Sequence, residues 1–271
     1  MFLLKNLNLY NLEEKMKNRD ALVTNARWAE QAERYDDMTL FMKFVAECDG
    51  SMTEDERNLF SVAFKNVVGA KRSSWRSISS LETKTGRARN DMPQTKPTRE
   101  RRIALCREYR EKIEIELGET CDQVLTLIAK HLDRTEDPCV KVFYLKMKGD
   151  YHRYLAEVRS DSDRKCKDAI EAEQAYQQAL EISTDSLCPT HPVRLGLALN
   201  YSVFHYEISN AQHKACSLAQ EAFDKAVSEL GPLTEDSQKD SVLILQLLKD
   251  NLTLWASDPE EVLLDDFEES D

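Results

Sequence analysis

Residues 141–158 read KVFYLKMKGDYHRYLAEV, and Lys146, Asp150, Arg153, Tyr154 and Glu157 recur there at i, i+4, i+7, i+8 and i+11. In a helix this spacing turns all five to one side. Val142, Tyr144 or Leu145, and Leu155 fall opposite as core material. A face of alternating charge with one tyrosine is either a solvated surface or a prepared anion site, and charged helix faces are commonly just wet. A second segment with the same habit shifts that balance. Residues 54–82 carry Lys65 and Arg72 two turns apart, with Asn58 two turns back and Val62, Val67, Val68 and Trp75 as packing beside them. If the two helices lie side by side, Lys65, Arg72 and Arg153 converge with the Tyr154 hydroxyl between them. Three positive charges repel unless an anion sits among them, and arginine offers paired donors to phosphate oxygens. A phosphorylated side chain supplies about −1.5 to −2 charges and three acceptor oxygens. Asp150 and Glu157 are then expected to hold the arginines in position.

The elements that must position these residues are helices. Seven Gly and seven Pro in 271 residues are about half the usual usage, and long periodic apolar runs are joined by short breaks. The expected fold is all-α, a bundle of about nine helices over 19–33, 36–49, 53–84, 99–132, 138–159, 163–184, 192–208, 211–230 and 234–256, with antiparallel neighbours. Thr53 and Glu56 have capping-box spacing, Pro138 follows Asp137 at a first helical position, and Gly50 and Gly231 read as helix stops. Residues 84–102 hold seven bases against two acids, with Pro93 and Pro97, and read as an exposed basic loop. The helices around Tyr176 and Phe223 invite comparison with a repeat array, but their spacing of 47 supports no regular repeat.

Two C-terminal stripes supply a different kind of wall. Gly196, Leu199, Asn200, Val203 and Glu207 lie on neighbouring turns of one helix; Leu243, Leu247, Asn251 and Trp255 or Leu254, with Ile244 alongside, lie on another. Either stripe alone reads as core. The asparagines interrupt it, because one carboxamide can satisfy both the N–H and the C=O of an extended peptide. A basic wall and an apolar wall with two asparagines between them suit a phosphopeptide in extended form.

The segments RNLFSVAFKNV at 57–67 and QKDSVLILQLLKDNLTLWAS at 238–257 closely resemble the two signature segments of 14-3-3 proteins, and 141–158 and 191–208 resemble core helices of that family. The likeness runs from about residue 18 to 257, with departures at Phe60, Phe64, Val242, Leu245 and Lys249. It implies a nine-helix protomer that dimerises through its N-terminal helices and clamps phosphoserine or phosphothreonine segments of client proteins in an amphipathic groove. By position, Lys65, Arg72, Arg153 and Tyr154 would hold the phosphate, and Asn200 and Asn251 the peptide backbone, with Lys146 and Glu207 nearby. Leu199, Val203, Leu243, Ile244 and Leu247, with Trp255, would line the apolar wall. Arg34 and Asp37 would face Glu116 and Lys112 of the other protomer in a homo- or heterodimer, with Trp28, Ala32 and Ile78 as apolar contacts. Trp28 is bulkier than the family residue there. Residues 1–17, the basic insertion at 86–98 and an acidic tail at 258–271 lie outside the family pattern. Ser73 and Ser74 follow Lys71 and Arg72 in a pattern that resembles a basic-directed kinase site, against which burial in the helix is the expected reading.

Other classes find less support. The net charge of −12 argues against a nucleic-acid partner, although eight acids in the last fourteen residues leave the body at only −4. The five histidines form no HExxH pair, no cysteine sits in a nucleophile motif, and there is no Gly-rich phosphate loop, so no enzyme, metal or cofactor is expected. His152, beside Arg153, should point away from the ladder. Seven scattered cysteines without CxxC fit a reducing setting, cytoplasmic with the nucleus also open. The first residues are too polar for a signal peptide or membrane span. A helical scaffold that reads unmodified peptides is the remaining alternative.

Overall fold

Amphipathic runs, several of them closed by a local cap, form nine α-helices among the described residues, which in this computed structural model are 18–87, 96–229 and 235–257. They are α1 (Arg19–Gln31), α2 (Tyr35–Glu47), α3 (Glu54–Arg87), α4 (Lys96–Leu132), α5 (Pro138–Val158), α6 (Ser162–Ser186), α7 (Pro192–Glu207), α8 (Gln212–Glu229) and α9 (Glu235–Ala256). No strand occurs among the described residues. The chain divides into two compact units, 1–134 and 135–271.

In the first unit, α3 buries Leu59, Phe60, Ala63, Phe64, Val67 and Val68, pairs that repeat every four residues along one face. The Phe60 and Phe64 rings lie 4.8 Å apart. Opposing them, α4 buries Ile113, Leu117, Cys121, Val124 and Ile128, again at i+3 and i+4. The capping box forms as expected: Thr53 N–H donates to Glu56 Oε2 at 2.7 Å, and Glu56 N–H donates to Thr53 Oγ1 at 3.3 Å. Glu56 also receives both arms of Arg19, at 2.6 and 2.7 Å, so a single carboxylate ties α1 to the start of α3. His131 at the end of α4 donates from Nε2 to the Ala46 carbonyl at 2.9 Å, closing α4 on α2. Burial pushes its imidazole down, which suits a neutral donor.

Two expectations change here. The segment 84–102 is not a loop throughout, because α3 runs on to Arg87 and α4 already begins at Lys96. Proline is tolerated in a first turn, where its missing N–H is not needed, so Pro97 does not delay α4. Arg99 spans the two helices by donating to the Thr85 and Gly86 carbonyls. Ser73 and Ser74 are exposed on α3 rather than buried, with Ser74 Oγ donating to the Ala70 carbonyl at 3.0 Å. Of the two proposed helix stops, Gly50 adopts φ +93°, just past α2. Gly231 lies outside the described residues, as do 1–17, 88–95 and 258–271.

In the second unit, Asp137 caps α5 through the Cys139 and Val140 N–H groups, with Pro138 in the first turn. Asp161 caps α6 in the same way, and His191 caps α7. α5 packs against α6 and α7, and α7 packs against α6, α8 and α9. Leu195, Ala215, Ala219, Ala226, Leu245, Leu248 and Trp255 form the core of the last three helices.

Arg19 and the Thr53 N–H together outweigh burial at Glu56 and hold its carboxyl below the usual 4.5, the Arg19 contact being the largest influence. A depressed carboxylate contributes stability at neutral pH that fades as the pH falls through its folded value. Glu56→Gln should therefore lower stability by about 2–3 kcal/mol at pH 7, discounted from a fully buried pair because Arg19 is partly exposed. Thermal melts should show the gap from wild type closing below pH 4.5.

Candidate functional site

The charged ladder of α5 is largely withdrawn from water. Asp150 and Arg153 are each only 6% exposed, while Lys146, Tyr154 and Glu157 are half-buried. Asp150 is the centre. Its Oδ1 accepts from the Tyr176 hydroxyl at 2.6 Å and from Asn200 Nδ2 at 2.7 Å; its Oδ2 accepts from Lys146 Nζ at 2.9 Å. Arg153 Nη2 lies 3.6 Å from the same Oδ1, and Arg153 Nε donates to the Tyr176 oxygen at 3.2 Å. Glu207 Oε2 stands 3.9 Å from Arg153 Nη1, and the guanidinium lies over the Tyr154 ring at 4.7 Å. A cation–π contact, the hydrogen bond to Tyr176 and two longer ion pairs therefore fix the arginine fork.

The electrostatics follow from this geometry. Burial alone would push the Asp150 carboxyl up; the Lys146 ammonium and the Arg153 guanidinium, with the Tyr176 hydroxyl, outweigh it and hold the carboxyl below its usual value. Burial likewise opposes the Arg153 charge, yet the oxygens of Tyr176, Tyr154 and Asp150 keep it protonated well above the usual range. Burial and the Asp150 charge push the Tyr176 phenol well up. Tyr176 therefore stays a donor to Asp150 and passes the pull of that carboxylate on to Arg153.

Tyr176 and Gly149 escaped the sequence reading. A glycine inside a helix marks a close approach, and a Cβ at Gly149 would stand 2.6 Å from Tyr176 Cε1. That signal was available beside Asp150; its partner on α6 was not. Gly196 plays a milder part on α7, where a Cβ would meet Lys146 Cε at 3.5 Å. Asn200 differs from expectation in that one of its two donors is committed to Asp150. His152 meets α6 at a different residue from the ladder's Tyr176, with Nδ1 at 3.0 Å from Asp168 Oδ1.

On the apolar side, Leu199, Val203 and Ile244 are partly buried against the α7–α9 core. Leu243 and Leu247 are exposed, and Asn251 is half-buried. The stripe does not continue through Trp255. That ring is buried and stacks on Tyr206, centroids 4.8 Å apart, so it supports the wall from behind. Leu254, the other candidate at this turn, is 66% exposed.

The remaining expected residues belong to the first unit. On α3, Lys65 is exposed and Arg72 half-buried. Trp28, Ala32 and Arg34 are exposed, and Asp37 and Ile78 half-buried. Within the single chain Arg34 pairs with Asp37 at 2.5 Å, and Lys112 with Glu116 at 3.8 Å.

The regular elements among the described residues are thus all helices, and a buried acid holds lysine, arginine and asparagine side chains in place, an arrangement that suits a recognition surface. Comparison with known proteins gives the family. The family model described as 14-3-3 protein matches residues 25–256. Curated relatives named 14-3-3 protein beta/alpha from Gallus gallus, Xenopus tropicalis and Homo sapiens are each 55% identical over 242 residues, covering 89% of this chain and 94% of the relative. The chain belongs to the 14-3-3 family, which consists of non-enzymatic phosphopeptide-binding adaptors. Among the described residues no helix is long and apolar enough to cross a membrane, and no group of three or more His, Cys, Asp or Glu could hold a metal ion.

Two substitutions probe the Asp150 cluster. Gly149→Ala should destabilise the chain by about 1–3 kcal/mol through overpacking against the Tyr176 ring, read as a lowered denaturant midpoint. Asp150→Asn should lower the melting temperature at neutral pH. Because the folded carboxyl is depressed, its contribution is complete above the usual value of 3.8 and fades as the pH falls through the folded value, so that difference should shrink below pH 3.8.

Proposed function

We propose that this chain binds phosphoserine- or phosphothreonine-containing segments of client proteins in extended form. It thereby acts as an adaptor that regulates their activity, location or partners in signalling. The observation that carries this reading is the Asp150 network, which hydrogen-bonds Lys146 and Asn200 directly and holds Arg153 through Tyr176. Preset donors lose little freedom when an anion arrives. Lys65, Arg72, Arg153 and Tyr154 bind the phosphate. Asn200 and Asn251 hold the peptide backbone, with Lys146 and Glu207 close by. Leu199, Val203, Leu243, Ile244 and Leu247 form the apolar wall, and Leu254 takes the place first given to Trp255.

The protomer pairs with a second 14-3-3 chain, identical or related. Supporting this are Trp28, Leu81 and Tyr109, large side chains exposed at 62%, 46% and 53%. They sit on α1, which ends just before Ala32, on α3 with Ile78, and on α4 with Lys112 and Glu116. In this reading the ion pairs of Arg34 with Asp37 and of Lys112 with Glu116 exchange for contacts across the dimer. The binding body spans 18–257, and the protein works in the reducing setting its scattered cysteines suit, the cytoplasm with the nucleus also open.

Fluorescence titration with a peptide in phosphorylated and unphosphorylated forms tests the reading. Wild type should prefer the phosphorylated form. Arg72→Ala and Arg153→Ala should each weaken its binding by about 10- to 150-fold, the range for losing a hydrogen bond to a charged group. Circular dichroism should show the helices retained. Equal affinity for both peptide forms, or no loss on Lys65→Glu, would instead favour a scaffold that reads unmodified peptides.

A further inference from the structure

The first turn of α5 and the cap of α7 meet at a sulfur–imidazole contact, with Cys139 Sγ 3.8 Å from His191 Nε2. His191 Nδ1 accepts the Val193 N–H at 3.1 Å. A backbone N–H can only donate, so Nδ1 carries no proton and the neutral ring carries it on Nε2. The ring thus offers an N–H donor to the Cys139 sulfur, which accepts. A thiolate accepts such a bond more strongly than a thiol does, and a helix's first turn favours negative charge. Cys139 stands directly after Pro138 in that turn. The Asp137 carboxylate opposes a second negative charge here, but it is itself engaged with the Cys139 and Val140 N–H groups. A second thiol belongs to the same loop: Cys188 is exposed, and its carbonyl accepts the His191 N–H at 2.9 Å.

We propose that Cys139 is a modification site, a thiol activated by His191 for reaction with hydroperoxides. The thiolate sulfur attacks one peroxide oxygen, an S–O bond forms, and the O–O bond breaks. With hydrogen peroxide, hydroxide leaves, and the sulfur, oxidised by two electrons, becomes a sulfenic acid. The added oxygen lies where α5, bearing Lys146, Asp150 and Arg153, meets the start of α7, bearing Asn200. Oxidation therefore strains the contact between the helix ends and weakens phosphopeptide binding. That consequence rests on the proposed function; the reactivity does not.

The full chain is treated with hydrogen peroxide, sulfenic acid is trapped with a cyclic 1,3-diketone, and labelling at each cysteine is followed by peptide mass spectrometry. Exposure alone predicts that Cys166 and Cys188 react first, since Cys139 is only half-exposed. The proposal predicts Cys139 first, about tenfold faster, as a donor-stabilised thiolate should be. His191→Asn keeps a capping side chain but removes the donor to sulfur, and should slow Cys139 to the rate of the others. Earlier labelling of Cys166 or Cys188 in wild type would overturn the proposal without recourse to any variant, and so would an unchanged Cys139 rate in a folded His191→Asn chain. Peroxide should lower phosphopeptide affinity severalfold in wild type and leave Cys139→Ser unaffected. Selective trapping at Cys139 without phosphopeptide binding by untreated wild type would count against the proposed function alone.

Discussion

Removing the Asp150 carboxylate from water costs several kcal/mol unless donors replace its lost hydration, and side chains from three helices do so. Lys146 and Arg153 come from α5, Tyr176 from α6 and Asn200 from α7. Each of these helices must keep its place for the charge to remain tolerable. Conversely, while the charge stays, the ends of Lys146, Arg153 and Asn200 cannot wander. The buried acid thus converts three flexible or ambiguous side chains into a fixed pattern of donors, which is the property a recognition surface needs.

The same logic appears in smaller form at Glu56, where one carboxylate serves the α3 cap and the Arg19 fork together. There the product is only architectural, since both arms of Arg19 are consumed by Glu56 and by the Asp49 and Ser51 carbonyls. At Asp150 the arginine is held but not exhausted. Its Nε is taken by Tyr176, while its terminal nitrogens lie at 3.6 and 3.9 Å from carboxylate oxygens, beyond good hydrogen-bond length.

Local chemistry made much of this legible in advance. The ladder on α5, the Thr53–Glu56 box and the Asp137–Pro138 start depend on neighbours within a few residues, so spacing alone reveals them. Long-range choices were hidden. Leu254 and Trp255 both continue a stripe that began at Leu243, at i+3 or i+4 from Asn251, and periodicity cannot choose between them. Tyr206 decides it by stacking on the indole. Tyr176 was similarly invisible, because nothing near it in sequence says that its hydroxyl reaches Asp150. At 84–102 the misleading signal was composition: basic residues and prolines suggest a loop, yet a proline in a first turn leaves the helix intact.

Charge balance limits what the buried cluster can do by itself. In the second unit Lys146 and Arg153 are matched by Asp150 and by Glu207 at 3.9 Å, a near-neutral set. Such a set orients an anion but attracts it weakly, and a chain with net charge −12 adds no long-range pull. At physiological ionic strength that net charge is screened beyond about 8 Å, so only nearby groups can supply the excess. In the proposed function that charge comes from Lys65 and Arg72. On this argument their loss should remove attraction for phosphate, whereas loss of Asp150 should disorder the donors that receive it. Attraction and orientation are therefore separable contributions to the proposed binding.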